Sequence, residues 1–305
     1  MGSRRPSIEE YSELVIARII RYLPIIWVSA IGAFLGRSRA REAIKLKRKW
    51  IDRLHRNFEQ LEGITEHSQR EVRIMDHMEH MGRLHTEYTV LHRMAAAGRL
   101  HTRGHEHLAA LKKPVIFISA HTGHWELLAE ILQQHKVSTA FLYEAVDNPI
   151  RLKLAMEART TICPIEKGYH FIPASNLAAR EMVAWITDGG NLLIFIDEYK
   201  DNQVWCPPLG RKLPFSGNRA MVSRLAIKHQ MDVIPLHVQR TKGAFFEASI
   251  EAPVSPPEKG AGVEARIRFA DQLSDFTERW IREDISHWYW LAQLELSRPF
   301  PDNKL

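Results

Sequence analysis

PVIFISAHTGHWELLAEILQQ, residues 114–134, decides how this chain folds. Behind Pro114, residues 115–119 are apolar and rich in β-branched side chains, the composition of a strand buried on both faces of a parallel sheet. Trp125, Leu127, Leu128, Ile131 and Leu132 then recur at helical spacing, so a helix follows. Between them lies the polar turn Ala120-His121-Thr122-Gly123-His124, where Gly123 is free to take a backbone angle that a side chain resists. Open α/β folds place their chemistry at the C-terminal ends of such strands, facing a helix N-terminus. The expected working pair is His121 and Glu126.

Spacing alone does not make that pair. Sixteen histidines and 36 acids in 305 residues give about two His-x4-acid pairs by chance, and the chain contains two. The other, His101/Glu106 in RLHTRGHEHL, has no apolar strand before it. A five-residue offset on a regular helix sets side chains roughly 140° apart. His121 and Glu126 meet only if the histidine stays in the turn while the acid lies in the first helical turn. The plainer alternative is a capping histidine followed by an acid that the helix dipole favours.

The alternation continues downstream. Strands are expected over residues 138–143, 192–196, 233–240 and 245–250, and helices over 151–159, 178–186, 218–229 and 264–283. A turn falls at Asp147-Asn148-Pro149, a loop at 253–262, and Gly189-Gly190 stops the helix before them. The run LLIFI at 192–196 ends directly on Asp197 and Glu198, which places both acids on the sheet edge that carries His121 if the strands are parallel. Residues 64–111 read as helical and carry eight histidines. They contain no HExxH and no CxxC, so they read as polar-face histidines and no metal ligand set is expected there. No nucleophile elbow, P-loop or complete GxGxxG occurs. A single histidine without an activated nucleophile suits direct transfer, in which it deprotonates a substrate hydroxyl.

With 45% hydrophobic residues, the chain can bury a large core. Its net charge of +6 is unevenly placed. Residues 1–56 carry thirteen Lys and Arg against five acids, leaving an ordinary balance in the remainder. Two cysteines, Cys163 and Cys206, supply no disulfide framework and fit a reducing compartment. Residues 14–35 are apolar except for Arg18, Arg21, Tyr22 and Ser29, with Pro24 inside. Their charge-free part, 22–35, is shorter than the roughly 20 residues that cross a bilayer comfortably. The three glutamates before it and the basic block after it argue against a cleaved signal. We therefore expect an uncleaved anchor, spanning or interfacial, with residues 37–56 against anionic headgroups. The alternative is a buried helix followed by a solvated basic one. The organisation expected is an anchor and basic helix at 1–60 and a catalytic domain at 61–305. The basic arm lacks interleaved aromatics, so nucleic acid is not an expected partner.

HTGHWEL resembles the His-x-Gly-x-Trp-(Asp/Glu) block of the bacterial late lipid A acyltransferases, the lauroyl/myristoyl transferase family. GHEHL before it, then DNPIRLKLAMEART, DGGNLLIFIDE, LAIKHQMDVIPLHVQR and a tryptophan-rich tail follow the same order across most of the chain. Similar enzymes acylate phosphatidylinositol mannosides. The resemblance implies an α/β fold with a mixed, largely parallel sheet flanked by helices, as in glycerolipid acyltransferases, plus an N-terminal membrane-associated helix. It implies transfer of a fatty acyl chain from a thioester, of acyl carrier protein or coenzyme A, to a hydroxyl of a lipid A precursor. Another glycolipid or phospholipid acceptor is the nearest alternative, and a non-catalytic basic protein of the membrane surface is one of a different class. The implied setting is the cytoplasmic face of the bacterial inner membrane. The thioester is a co-substrate, and neither cofactor nor metal is implied. Carried over residue by residue, His121 is the base and Glu126 its motif acid, which holds the imidazole. Arg159, Asp197 and Glu198 fall in substrate-binding positions, with Asp197 or Glu198 expected to orient Arg159 or the acceptor. His124 stands where many members have Asn, and Glu198 where relatives often have Gln.

Overall fold

A computed structural model describes residues 8–144 and 148–300, with side chains from residue 14 onward in the first helix. Asp147 of the expected turn, together with Arg4 and Arg5 of the basic arm, lies outside the described residues. The strands are β1 (Leu100–Arg103), β2 (Ile116–Ser119), β3 (Thr139–Tyr143), β4 (His170–Pro173), β5 (Asn191–Phe195), β6 (Tyr199–Lys200), β7 (Gln203–Val204), β8 (Val233–Lys242) and β9 (Phe245–Ile250). Seven of them form one sheet in the order β1-β9-β8-β2-β5-β3-β4, and β6 and β7 pair separately. Strands β8, β2, β5, β3 and β4 are mutually parallel, whereas β9 runs antiparallel to β8 and β1 parallel to β9. This is the mixed, mostly parallel sheet expected. The central strand β2 has the sequence IFIS and is buried at all four positions. A strand covered on both faces needs that apolar continuity.

The helices are α1 (Ile8–Ile20), α2 (Ile25–Lys45), α3 (Lys49–Glu62), α4 (His67–Glu87), α5 (Leu91–Met94), α6 (His105–Ala109), α7 (Leu127–Gln134), α8 (Pro149–Ile162), α9 (Ala178–Thr187), α10 (Gly217–His229) and α11 (Val263–Glu283). One face of the sheet packs Phe117, Leu193 and Ile234 against Leu127, Leu128 and Ile131 of α7 and Val28 of α2. The other packs Ile116, Ile118 and Ile194 against Met182 of α9, Val222 of α10 and Leu273 of α11. A third cluster joins Leu54, Phe58 and Ile74 of α3 and α4 to Trp280 of α11 and to Trp288, Leu291 and Leu294 of the C-terminal tail.

Besides the small β6–β7 pair, two short strands of the main sheet differ from expectation. Residues 100–103 interrupt the helical stretch of 64–111 as edge strand β1, and residues 170–173 form the opposite edge, β4. Both are half-exposed four-residue segments whose pairing, not their periodicity, makes them strands. The polar-face expectation also fails at His77 and His80, which are buried on α4. His77 Nδ1 lies 2.8 Å from the Ser286 carbonyl, and Arg240 Nε approaches His80 Nδ1 at 3.2 Å.

Among the described residues, no helix is long and apolar enough to cross a membrane. Pro24 separates the apolar N-terminal stretch into α1 and α2. On one side α2 lies so close to α4 that side chains at Gly32 or Gly36 would overlap the α4 backbone at Gly82 and Met78. Across that seam Arg83 Nη1 donates to Ser29 Oγ at 2.7 Å, and Thr86 Oγ1 to the Val28 carbonyl at 3.1 Å. The opposite side leaves Tyr22, Ile26, Trp27, Phe34 and Leu35 more than half exposed, together with Val15, Ile16 and Ile19 of α1.

Candidate active site

β2 delivers His121 to the C-terminal edge of the sheet through a turn fixed at both ends. Gly123 has φ +55°, and a side chain there would overlap the Val238 carbonyl of β8. Thr122 Oγ1 donates to that carbonyl at 3.2 Å, and Tyr289 N donates to the His121 carbonyl at 2.9 Å. The turn is thereby clamped between β8 and the C-terminal tail.

Strand β5 lies beside β2 and ends two residues before Asp197. His121 Nδ1 lies 2.8 Å from Asp197 Oδ1, and the His121 backbone N–H donates to Oδ2 at 2.7 Å. Trp288 Nε1 donates to the same Oδ2 at 2.9 Å. The Asp197 carboxylate is fully buried, and these three donors satisfy its oxygens there. Trp290 Nε1 also approaches His121 Nδ1, at 3.3 Å. One nitrogen cannot both donate to the carboxylate and accept from the indole. The shorter contact to a charged acceptor prevails, so Nδ1 carries the proton and Nε2 keeps its lone pair. The imidazole stacks 4.4 Å from Phe195 and meets the edge of Trp125 at 5.0 Å. Its side chain remains 22% exposed, enough for a substrate to reach it.

Glu126 does not hold the imidazole. The acid sits at the start of α7, buried, with its carboxylate bonded to Arg159 Nη2 at 2.6 Å and Nε at 3.0 Å, and to the Tyr88 hydroxyl at 2.9 Å. No hydrogen bond joins it to His121 among those described. The correction has a topological cause: the neighbouring strand presents an acid nearer to Nδ1 than the helix that follows the turn. Burial alone pushes the Glu126 carboxyl up, but the Arg159 charge and the bonds from Arg159 and Tyr88 outweigh it and hold it below the usual range. Arg159 also lies over the Tyr143 ring, and its Nη1 is buried without a hydrogen-bond partner among the described residues.

Among the described residues, neither Asp197 nor Glu198 hydrogen-bonds to Arg159, so of the two expected roles only orientation of the acceptor stays open to them. Glu198 turns toward α10, where its Oε2 accepts from Asn218 N at 2.7 Å, a helix-N-terminal role. Burial pushes its carboxyl up. The comparison pair, His101 and Glu106, is exposed on β1 and α6. Beyond the sequence-derived residues, the structure adds Trp288, Tyr289 and Trp290 around His121 and Tyr88 beside Glu126. The tryptophans lie in the aromatic tail, whose density was the available signal. A lone Tyr88 in a histidine-rich helix gave none.

The arrangement is a base with a carboxylate-fixed tautomer, one open ring nitrogen and a separate buried cation–carboxylate pair one helix away. It can take a proton from a hydroxyl and stabilise the resulting imidazolium. It offers no activated thiol. Cys163 and Cys206 are buried, and burial pushes their thiols up to about 12 and about 11.

The sequence model of a family described as bacterial lipid A biosynthesis acyltransferase matches residues 7–295. Among curated proteins, no sequence matches the chain. Among solved structures, the 1-acyl-sn-glycerophosphate acyltransferase PlsC from Thermotoga maritima is similar at 15% identity and a TM-score of 0.38. That similarity covers 85% of this chain and 99% of the other, and it is too loose to carry an assignment.

Proposed function

Since the chain belongs to the bacterial lipid A biosynthesis acyltransferase family and is an acyltransferase, we propose that it moves a fatty acyl chain from a thioester to a hydroxyl of a lipid A precursor, with His121 and Asp197 as the working pair. The observation that carries this reading is the Nδ1 contact of His121 with a fully buried Asp197, which leaves Nε2 available as a base. As the acceptor oxygen attacks the thioester carbonyl, Nε2 takes its proton and a C–O bond forms. The tetrahedral intermediate then collapses, the C–S bond breaks, and the departing sulfur receives the proton from the imidazolium. Asp197 stabilises that imidazolium and keeps the ring in place. Arg159, with Nη1 unpartnered and its other nitrogens held by Glu126, is the candidate donor to an anionic oxygen. Glu126 is thus a positioning residue that acts through Arg159.

Acyl carrier protein is the proposed donor, with coenzyme A the alternative carrier, and the proposed setting is the cytoplasmic face of the inner membrane. Residues 1–60 are proposed as the anchoring unit, lying in the interface. Support comes from the exposed apolar side of α1 and α2 and from the exposed Arg39, Arg41, Lys45, Lys47, Arg48 and Lys49 that follow it. Apolar insertion and headgroup attraction, about 1 kcal/mol for each nearby basic side chain, add together in such a helix. Mass spectrometry of lipid A from cells lacking the gene tests the acceptor: one missing acyl chain is expected. An unchanged acylation pattern would move the activity to another lipid.

A further inference from the structure

Helices α3 and α4 are consecutive and packed together, joined through Gly63 in the left-handed conformation. Near that corner His55 of α3 faces His67 and Glu71 of α4, and one possible ligand atom from each lies within 4.8 Å of the others. His67 Nε2 stands 3.5 Å from Glu71 Oε1. That is too long for a good hydrogen bond. It is close to the roughly 3.4 Å edge of a tetrahedron whose centre is about 2.0–2.2 Å from each nitrogen and oxygen. His55 Nδ1 is buried with no hydrogen-bond partner among the described residues. The two imidazoles stack at 4.3 Å, 15° from parallel, without a bond between them.

We propose that His55, His67 and Glu71 hold a divalent cation of the zinc class, with water completing the coordination. Two imidazoles and one carboxylate suit zinc and its transition-metal neighbours, whereas magnesium demands an octahedron of oxygens. The rings now stand nearly parallel, so shared coordination requires one of them to turn, and the His67 side chain, 67% exposed, has room to do so. The nearest opposing charge, Arg70, is committed elsewhere. Its Nη1 donates to the Ile64 and Thr65 carbonyls at 2.9 and 2.8 Å and lies 3.5 Å from Glu59. The ion would staple α3 to α4, the two helices that also grip the C-terminal tail. Asn57 Nδ2 donates to the Leu291 and Leu294 carbonyls at 2.8 and 3.0 Å, and His77 contacts Ser286. The site thus belongs to the support of the aromatic tail and stands apart from the acyl-transfer chemistry.

Tag-free, full-length protein stripped with a chelator and titrated calorimetrically with ZnCl2 and with MgCl2 tests the proposal. A single zinc site of micromolar or tighter Kd is expected, with a rise in Tm on zinc addition and no response to magnesium. His67→Ala, at an exposed helix start, and Glu71→Gln should keep the fold by circular dichroism and weaken zinc roughly 10-fold or more. His101→Ala, on the far edge strand, should bind as the parent does. Absence of zinc binding, or zinc binding that both variants leave unchanged, overturns the assignment.

Discussion

His121 and Asp197, 76 residues apart in the chain, meet through a 2.8 Å contact between Nδ1 and Oδ1 because β2 and β5 are parallel neighbours. The imidazole and the carboxylate that fixes it therefore come from two strand ends and not from one motif. Asp197→Asn keeps the shape, removes the charge that stabilises the imidazolium, and lets an amide face Nδ1 in the wrong tautomer. We expect kcat to fall on the order of 10^3–10^4-fold with KM nearly unchanged. His121→Ala should be at least as severe, with Tm close to the parent's. Steady-state kinetics check both, and an Asp197→Asn enzyme within tenfold of the parent would refute the pairing.

Glu126 has a different signature. Its loss strands the Arg159 guanidinium in a buried site, a defect that costs about 3–5 kcal/mol. Glu126→Ala should therefore lose stability as well as activity, and Glu126→Gln combined with Arg159→Met should recover part of the stability but no activity. Urea unfolding is the measurement. A Glu126→Ala protein as stable as the parent would remove the structural role argued for the ion pair.

Acid should unfold the protein well above the carboxylate range. Burial lowers His77, His124 and His287 to about 4, and His237 to about 3. In the unfolded chain they titrate near 6.5. Between those values the unfolded state binds more protons, so stability falls as pH drops from about 6.5 towards 4, by about 1.4 kcal/mol per pH unit for each histidine. Glu126, held low in the folded state, adds a loss at still lower pH, as it is protonated. Urea midpoints measured across this window should slope steeply. His237→Phe, keeping the stack on Trp280, should reduce the slope by one proton; an unchanged slope would show that His237 stays protonatable in the fold.

Interfacial attachment predicts salt sensitivity. Replacing Lys45, Lys47, Arg48 and Lys49 with Gln should weaken vesicle binding and let high salt release the protein. Trp27→Ser with Phe34→Ser should weaken it at every salt concentration, since those side chains contribute apolar area. Flotation with anionic vesicles reads both effects. Binding that neither high salt nor the Gln substitutions weaken would overturn the interfacial model.

The strand-turn-helix at residues 114–134 and the acid-tipped LLIFI strand were legible because a doubly covered strand requires an uninterrupted apolar run. Strands β1 and β4 were not. LHTR and HFIP are short, half-exposed edges whose identity comes from the neighbours they join. His121, Glu126, Arg159 and Asp197 could all be picked from the chain. Their partnership could not, since which acid reaches Nδ1 depends on strand order, and strand order leaves no trace in local spacing. His77 and His80 misled for a related reason: their burial follows from the tail packed across α4.

The indole of Trp288 completes the hydrogen bonds of Asp197, and it arrives from the last tenth of the chain. A polypeptide emerging from the ribosome therefore carries both strands and the histidine long before it can hold a buried carboxylate beside them. Until residues 285–294 close across α3 and α4, the Asp197 carboxylate lacks its indole donor.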